Sequence, residues 1–331
     1  MTQEKIVQRT SSTSFQRVLK SKEFGVFGAL VVLTVVMSFL NQYFATTQNI
    51  FNVARSFSTI GIMAIGMTMV IVTGGIDLSV GSILAVGAML TARLITYAGI
   101  NPWLALVGGL AGGLACGLVN GLIITKIKVN PFITTLGMMS IARGIAYLLA
   151  TGLQGTVASN IPMQDPGVNF LGAGEIGAIR FPFPIIEMVI LVVVFSIFLK
   201  FTVLGRQIYA VGSNEQAARL SGVNVDWVRI FVFTLTGILA AYAGIMNAGL
   251  LSTAATNLGV GNELDVIAAV IIGGTSLSGG EGSIYGAVIG AAIMAIVRNA
   301  FVLLHIPIHW QTVTIGVVII LAVATDRLRK R

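Results

Sequence analysis

Among the ionisable residues that lie within or between the apolar stretches of this 331-residue chain are Asp77, Arg143, Asp265 and Arg298. In hydrocarbon such a group is costly, and it faces a bundle interior, a partner or a solute path. Asp77 precedes Leu78-Ser79 and can cap the next helix by accepting from its free N–H groups, or it can contact a substrate. Arg143 can line a path or pair with an acid that fixes two helices. Asn130-Pro131-Phe132-Ile133-Thr134-Thr135 places proline at a helix start. The Thr134 and Thr135 hydroxyls either point inward or bond their own backbone. Asp77, Ser79, Thr134, Thr135, Arg143, Asp265, Thr275 and Ser276 are the candidate lining of a translocation path. Catalysis has less to draw on. His305 and His309 flank Pro307 without an HExxH pattern or a third ligand, and read as solvated turn residues rather than a metal site. No base is placed to activate a serine or Cys116, so no catalytic residue is assigned.

The elements that must position these residues follow from composition. Hydrophobic residues make up 56% and charged residues 10%, which cannot cover a soluble surface of this size. The apolar runs are continuous rather than alternating, which points to helices and not to a membrane barrel. Ten runs are candidates to span the bilayer: 24–44, 51–73, 79–97, 103–125, 131–151, 183–204, 228–250, 264–278, 282–304 and 308–325. The expected fold is an all-α polytopic membrane protein.

Charge sets the expected orientation. Lys5, Arg9, Arg17, Lys20 and Lys22 precede the first run, and Lys126 and Lys128 follow the fourth. Lys200, Arg206, Arg219 and Arg229 surround the loop after the sixth, and Arg327, Arg329, Lys330 and Arg331 close the chain. With ten crossings all of these fall on one side, and only Arg180 lies in a loop on the other. That is the positive-inside pattern with both termini cytoplasmic. The divisions are a cytoplasmic tail 1–23, a transmembrane domain 24–325 and a basic tail 326–331. The first run lacks an evident cleavage site after it and reads as an uncleaved span. Cys116 lies in an apolar helix and reads as a packed small hydrophobe.

Two glycine patterns organise the interior. Gly109, Gly113, Gly117 and Gly121, and later Gly282, Gly286 and Gly290, recur every fourth residue. Such stripes admit a neighbouring backbone, either within one subunit or across a dimer. The second pattern is an internal repeat, G-G-x-x-L-S-x-G, at Gly74–Gly81 and again at Gly273–Gly280. Each copy ends one apolar run and opens another, which predicts broken helices of the kind that line transport paths. The run cut short at Gly273 would be about 20 Å long, too short to cross. The loop 152–182, on the outer side, suits a docking surface or a lid.

Gly205–Arg229 is different: a polar, helix-compatible segment between two apolar runs on the cytoplasmic side. Asn214 can cap a helix through Glu215-Gln216-Ala217-Ala218-Arg219-Leu220, ended by Gly222. Glu215 and Arg219 are spaced for an i,i+4 pair, and the alanines give a smooth face for a groove. The plainer alternative is a helix resting on the membrane surface.

Leu277-Ser278-Gly279-Gly280-Glu281 has the form of the signature sequence of ATP-binding-cassette ATPases. That signature works with a phosphate-binding loop whose lysine follows glycine, and none of the seven lysines here does so. The chain is therefore not expected to bind nucleotide.

Ala217-Ala218-x-x-x-Gly222 with Glu215 nearby resembles the coupling-loop motif of ABC importer permeases. GGIDLSVGS at 74–82, NPFITTLGMMSIARG at 130–144 and ELDVIAAVIIGGTSLSGGEGS at 263–283 resemble permease subunits of ribose-type monosaccharide importers. The similarity covers about 45–325. One departure is that Gln216 separates Glu215 from the alanine pair, where Glu-Ala-Ala is the commoner form. The resemblance implies a type II importer bundle in a bacterial cytoplasmic membrane, with a second copy or a sister permease. It implies a separate cytoplasmic ATPase that holds ATP and Mg, and an external, periplasmic or lipid-anchored, sugar-binding protein. The coupling loop 205–227, with Asn214, Glu215, Ala217, Ala218, Arg219 and Gly222, would transmit ATPase closure. The competing readings are an ion-coupled secondary transporter using Asp77, Asp265 and Arg143, and a membrane scaffold or intramembrane enzyme. The sugar itself is not legible.

Overall fold

The computed structural model of the protein describes residues 22–151 and 159–329. The terminal basic residues Lys5, Arg9, Arg17, Lys20, Lys330 and Arg331, and the start of the loop 152–182, lie outside the described residues. The chain runs α1 (Lys22–Leu40), α2 (Thr47–Val72), α3 (Val80–Thr96), α4 (Pro102–Leu122) with a π turn (Ile123–Ile127), and α5 (Pro131–Ala150). Next come β1 (Asn160–Pro162), α6 (Pro166–Ala173), β2 (Glu175–Ile176), β3 (Phe181–Pro182), α7 (Phe183–Phe201), α8 (Val203–Ser213) and α9 (Glu215–Leu220). The chain continues through α10 (Val225–Leu251), β4 (Thr253–Ala255), α11 (Asn262–Ile272), α12 (Ile284–Leu303) and α13 (Ile308–Arg329).

All ten predicted apolar segments form helices, and seven helices among the described residues are long and apolar enough to cross a membrane. The other three segments are α3, α11 and α13. The 11 residues of α11 rise about 16 Å, well short of a bilayer's hydrocarbon. The physical reason is the glycine pair that follows it. Helix α2 likewise stops at its own pair. In both places the chain closes the helix with a Schellman motif: Gly74 N–H bonds Ile71 O (2.9 Å) and Gly75 N–H bonds Val70 O (3.0 Å). Gly274 and Thr275 repeat this on Ile271 O (2.9 Å) and Val270 O (3.2 Å). The left-handed residue is Gly74 in one copy, at φ +81°, and Gly274 in the other, at φ +91°. Aligning the two sequence motifs pairs Gly74 with Gly273, so the structural register of the repeat is one residue away from the sequence register.

Two long helices, α2 and α10, form the centre. Every residue of α2 from Ser58 to Val72 is buried. Helix α10 packs against α4, α3, α2 and α6, while α12 also packs on α2 and α11 packs against α12. The Gly109–Gly121 stripe lies inside this packing. A methyl group at Gly113 would overlap the Gly237 carbonyl, and one at Gly121 would lie 2.8 Å from the Ile230 Cα. Gly282 lies against Val72 and Thr275, Gly286 against Gly273 and Gly290 against Ala269, so the second stripe faces α11 and the end of α2. Cys116 is buried on α4. Helix α1 is peripheral, touching the bundle through Met37 with Phe44 and Ile296.

From residue 159 onward the loop predicted at 152–182 is built rather than open. β1 pairs antiparallel with β4, β2 with β3, and α6 is capped by Asp165 accepting from Val168 N–H (2.9 Å).

Candidate functional site

Three neighbouring constructions carry the candidate residues. The first is the polar segment after α7. Thr202 caps α8 by accepting from Gly205 N–H (3.0 Å), and Asn214, extended at φ −159°, ends α8 and caps α9 through Ala217 N–H (2.9 Å). Gly222, at φ +82°, turns the chain into α10, whose cap is Asn224 on Trp227 N–H (3.0 Å). The expected helix and its Glu215–Arg219 pair (3.0 Å) are present. The alanine face is not as expected. Ala218 is buried against the chain's own core, while Ala217 and Leu220, the latter 91% exposed, point away. A helix this short puts adjacent residues on different faces, so the pair is split between inside and outside.

The charges form a chain that spacing alone did not reveal. Glu215 also pairs with Arg229 (2.7 Å), Arg219 with Asp226 (3.1 Å), and Asp226 with Lys126 of the π turn (3.3 Å). Single exposed pairs contribute little, but linked pairs fix geometry. Partial burial pushes the Glu215 carboxyl up, yet its hydrogen bonds and charge contacts with Arg219 and Arg229 outweigh that and hold it below its usual range. Asp226 lies seven residues beyond Arg219, two helical turns in a continuous helix, and the Gly222 turn brings it alongside instead.

The second construction joins α8 to both helix breaks. Gly280 N–H donates to Val72 O (2.9 Å), and Tyr209 Oη donates to Gly282 O (2.9 Å). Gly212 sits where any Cβ would overlap the Val72 carbonyl and lie 2.6 Å from Gly280 N. The Leu277–Glu281 signature-like run is thus a structural loop, with Gly279 and Gly280 both at positive φ beneath α8.

The third is the buried polar set. Asp77 and Ser79 are fully buried. The Asp77 carboxylate accepts from Ser79 N–H (2.8 Å) and Ser79 Oγ (2.5 Å), Asn120 Nδ2 donates to Ser79 Oγ (3.0 Å), and Thr135 Oγ1 donates to Ile76 O (3.1 Å). Asp77 therefore holds the turn before α3 rather than capping its first N–H groups. Ser276 makes the matching turn, accepting from Ser278 N–H (3.3 Å). Thr134 bonds its own backbone at Asn130 O (3.1 Å), and Thr275 is buried. Arg143 forms no ion pair among the described residues. Its guanidinium donates to Thr256 O (2.7 Å), Leu258 O (2.8 Å) and Gly81 O (3.3 Å), tying α5 to the loop after β4 and to α3. Asp265, fully buried, forms an ion pair with Arg298 that joins α11 to α12. Asn120, Lys126, Tyr209, Gly212, Asp226 and Arg229 are among the participants that motif reading missed as site residues.

The geometry is that of a short external helix connected through backbone contacts to two breaks in a membrane bundle. Residues 49–323 match the family model described as branched-chain amino acid transport system / permease component. The chain is 42% identical over 310 residues to a ribose import permease protein of Bacillus subtilis (92% of this chain, 93% of the relative). It is 41% identical over 302 residues to the ribose import permease protein of Escherichia coli K12 (91% and 92%). It is 36% identical over 308 residues to the D-allose transport system permease protein of the same strain (92% and 92%). No solved structure matches it.

Proposed function

Because the chain belongs to the branched-chain amino acid transport system permease component family, we propose that it is the membrane-spanning subunit of an ABC importer for a monosaccharide or related polyol. The family description names amino acids, but the relatives over nine-tenths of the chain are named for ribose and D-allose, which favours a sugar. ATP hydrolysis belongs to a separate ATPase, and an external binding protein delivers the solute. The transmembrane domain 24–325 acts with a second copy or a sister permease in a bacterial cytoplasmic membrane. Its tails, 1–23 and 326–331, lie on the cytoplasmic side with α8 and α9, and the loop carrying β1, α6 and the β2–β3 hairpin faces outward.

The observation that carries this reading is the contact of α8 with both breaks through Gly212, Tyr209, Gly280 and Val72. The ATPase would receive α9, with Asn214 and Gly222 shaping it and Glu215 and Arg219 bracing it. Closure of the motor then reaches the turns that hold Asp77, Ser79, Thr275 and Ser276. Of the three groups an ion-coupled carrier could use, Asp265 is engaged by Arg298, Arg143 by carbonyls and Asp77 through one oxygen by Ser79, and such a carrier leaves α9 without a purpose. Reconstituted alone, the chain should accumulate no sugar. Adding the ATPase, MgATP and the binding protein should restore uptake. Concentrative uptake by the chain alone under a proton gradient would refute the assignment.

A further inference from the structure

At the end of the bundle that carries the β2–β3 hairpin, a cavity of about 320 Å³ lies among α2, α10, α11 and α12 within a single subunit. Its polar lining includes Asn52, Arg55, Thr59, Asn247, Asn262 and Arg298, none of which belongs to the coupling segment or to the breaks. The volume stands at the small end of small-molecule sites, which run from about 300 Å³ upward.

The charges in its wall are balanced. Arg55 pairs with Glu175 of the hairpin (2.6 Å), and Arg298 pairs with Asp265. An anion would find both guanidiniums already neutralised, so the wall does not select for net charge. Hydrogen-bonding capacity is left over, however. Asn52, Asn247 and Asn262 bring amides to the wall, and Ser56 and Thr59 bring hydroxyls. Amides and hydroxyls among balanced charges suit a neutral solute rich in hydroxyls, since each hydroxyl both gives and accepts a hydrogen bond.

We propose that this cavity is a binding site for one neutral monosaccharide inside each permease subunit, occupied between release from the binding protein and passage through the bundle. The proposal rests on the sugar-importer reading above. Glu175 ties the site to the hairpin, so the segment facing the binding protein also holds one wall of the cavity in place.

The test uses the complete transporter in proteoliposomes, with D-ribose and D-allose as probes and gluconate as an anion of similar size. A Leu250→Cys variant in a Cys116→Ala background places the sole thiol on the cavity wall, and its labelling by aminoethyl methanethiosulfonate is timed. The transported sugar should slow labelling about tenfold at roughly ten times its Kd, by mass action. Gluconate should not slow it. Asn247→Leu and Asn262→Leu should each raise the sugar concentration for half-protection about tenfold, the loss of one or two buried hydrogen bonds. Labelling indifferent to a sugar that the transporter imports would overturn the site and leave the importer reading intact. Equal protection by gluconate would overturn its neutrality. Failure to import any neutral monosaccharide would remove the importer reading, and the site with it.

Discussion

Gly280 donates its backbone N–H to the carbonyl of Val72, so the loop that follows α11 is bonded to the last turn of α2, with Gly212 of α8 pressed onto the same pair of atoms. Three segments far apart in sequence meet there through backbone alone. Side chains are absent because there is no room for them.

A Gly212→Ala substitution should expose the strength of that junction. Its Cβ would overlap the Val72 carbonyl, and overpacking of a tight contact costs about 1–3 kcal/mol. We expect a lowered Tm and a raised ratio of ATP hydrolysed to sugar imported in the reconstituted complex. An unchanged ratio would mean that α8 does not transmit motion to the breaks.

Leu220 and Ala218 should separate binding of the ATPase from folding. Leu220→Glu alters an exposed position and should change stability by no more than about 0.5 kcal/mol while abolishing co-purification with the ATPase. Ala218→Leu enlarges a buried residue and should lower Tm first. If Leu220→Glu co-purifies normally, the exposed edge of α9 is not the contact.

The bracing of α9 should depend on pH. The carboxyl of Glu215 has a folded-state pKa below its ordinary 4.5, although partial burial opposes the shift. The stabilisation is therefore complete above about pH 4.5 and is lost as pH falls through the lower folded value. With Trp103 and Trp310 replaced by Phe, the fluorescence of Trp227 should report the loosening in acid. Glu215→Gln should show the loosened signal already at neutral pH, and a flat profile in both would contradict the bracing role.

Arg143→Gln should destabilise without changing sugar preference. It strips the guanidinium from three carbonyl acceptors, at about 1–3 kcal/mol for each one left buried and unpaired. Thermal unfolding should register the loss, while the relative uptake of D-ribose and D-allose stays as in the parent. A changed preference would place Arg143 on the solute path.

What was legible in the sequence was local. Asn214, Glu215, Arg219 and Gly222 act within a few residues of one another, and caps, i,i+4 pairs and left-handed glycines follow from such spacing. The ten apolar segments were legible for the same reason. Arg143 was not, because its carbonyl partners lie 113 and 115 residues downstream and 62 upstream, and carbonyls leave no mark in residue identity. Arg55 and Glu175, 120 residues apart, were hidden likewise. The repeat was seen but mis-registered, since two adjacent glycines look alike until the backbone picks one for positive φ.

The ion-pair chain from Arg229 through Glu215, Arg219 and Asp226 to Lys126 has a mechanical consequence. It ties α9 to the root of α10 and to the turn after α4, while Asn214 joins it to α8. On the proposed seating of the ATPase at α9, a push there reaches α10 through these pairs as well as the breaks through α8, and the small-residue flank of α10 is meshed with α4 like teeth on a gear.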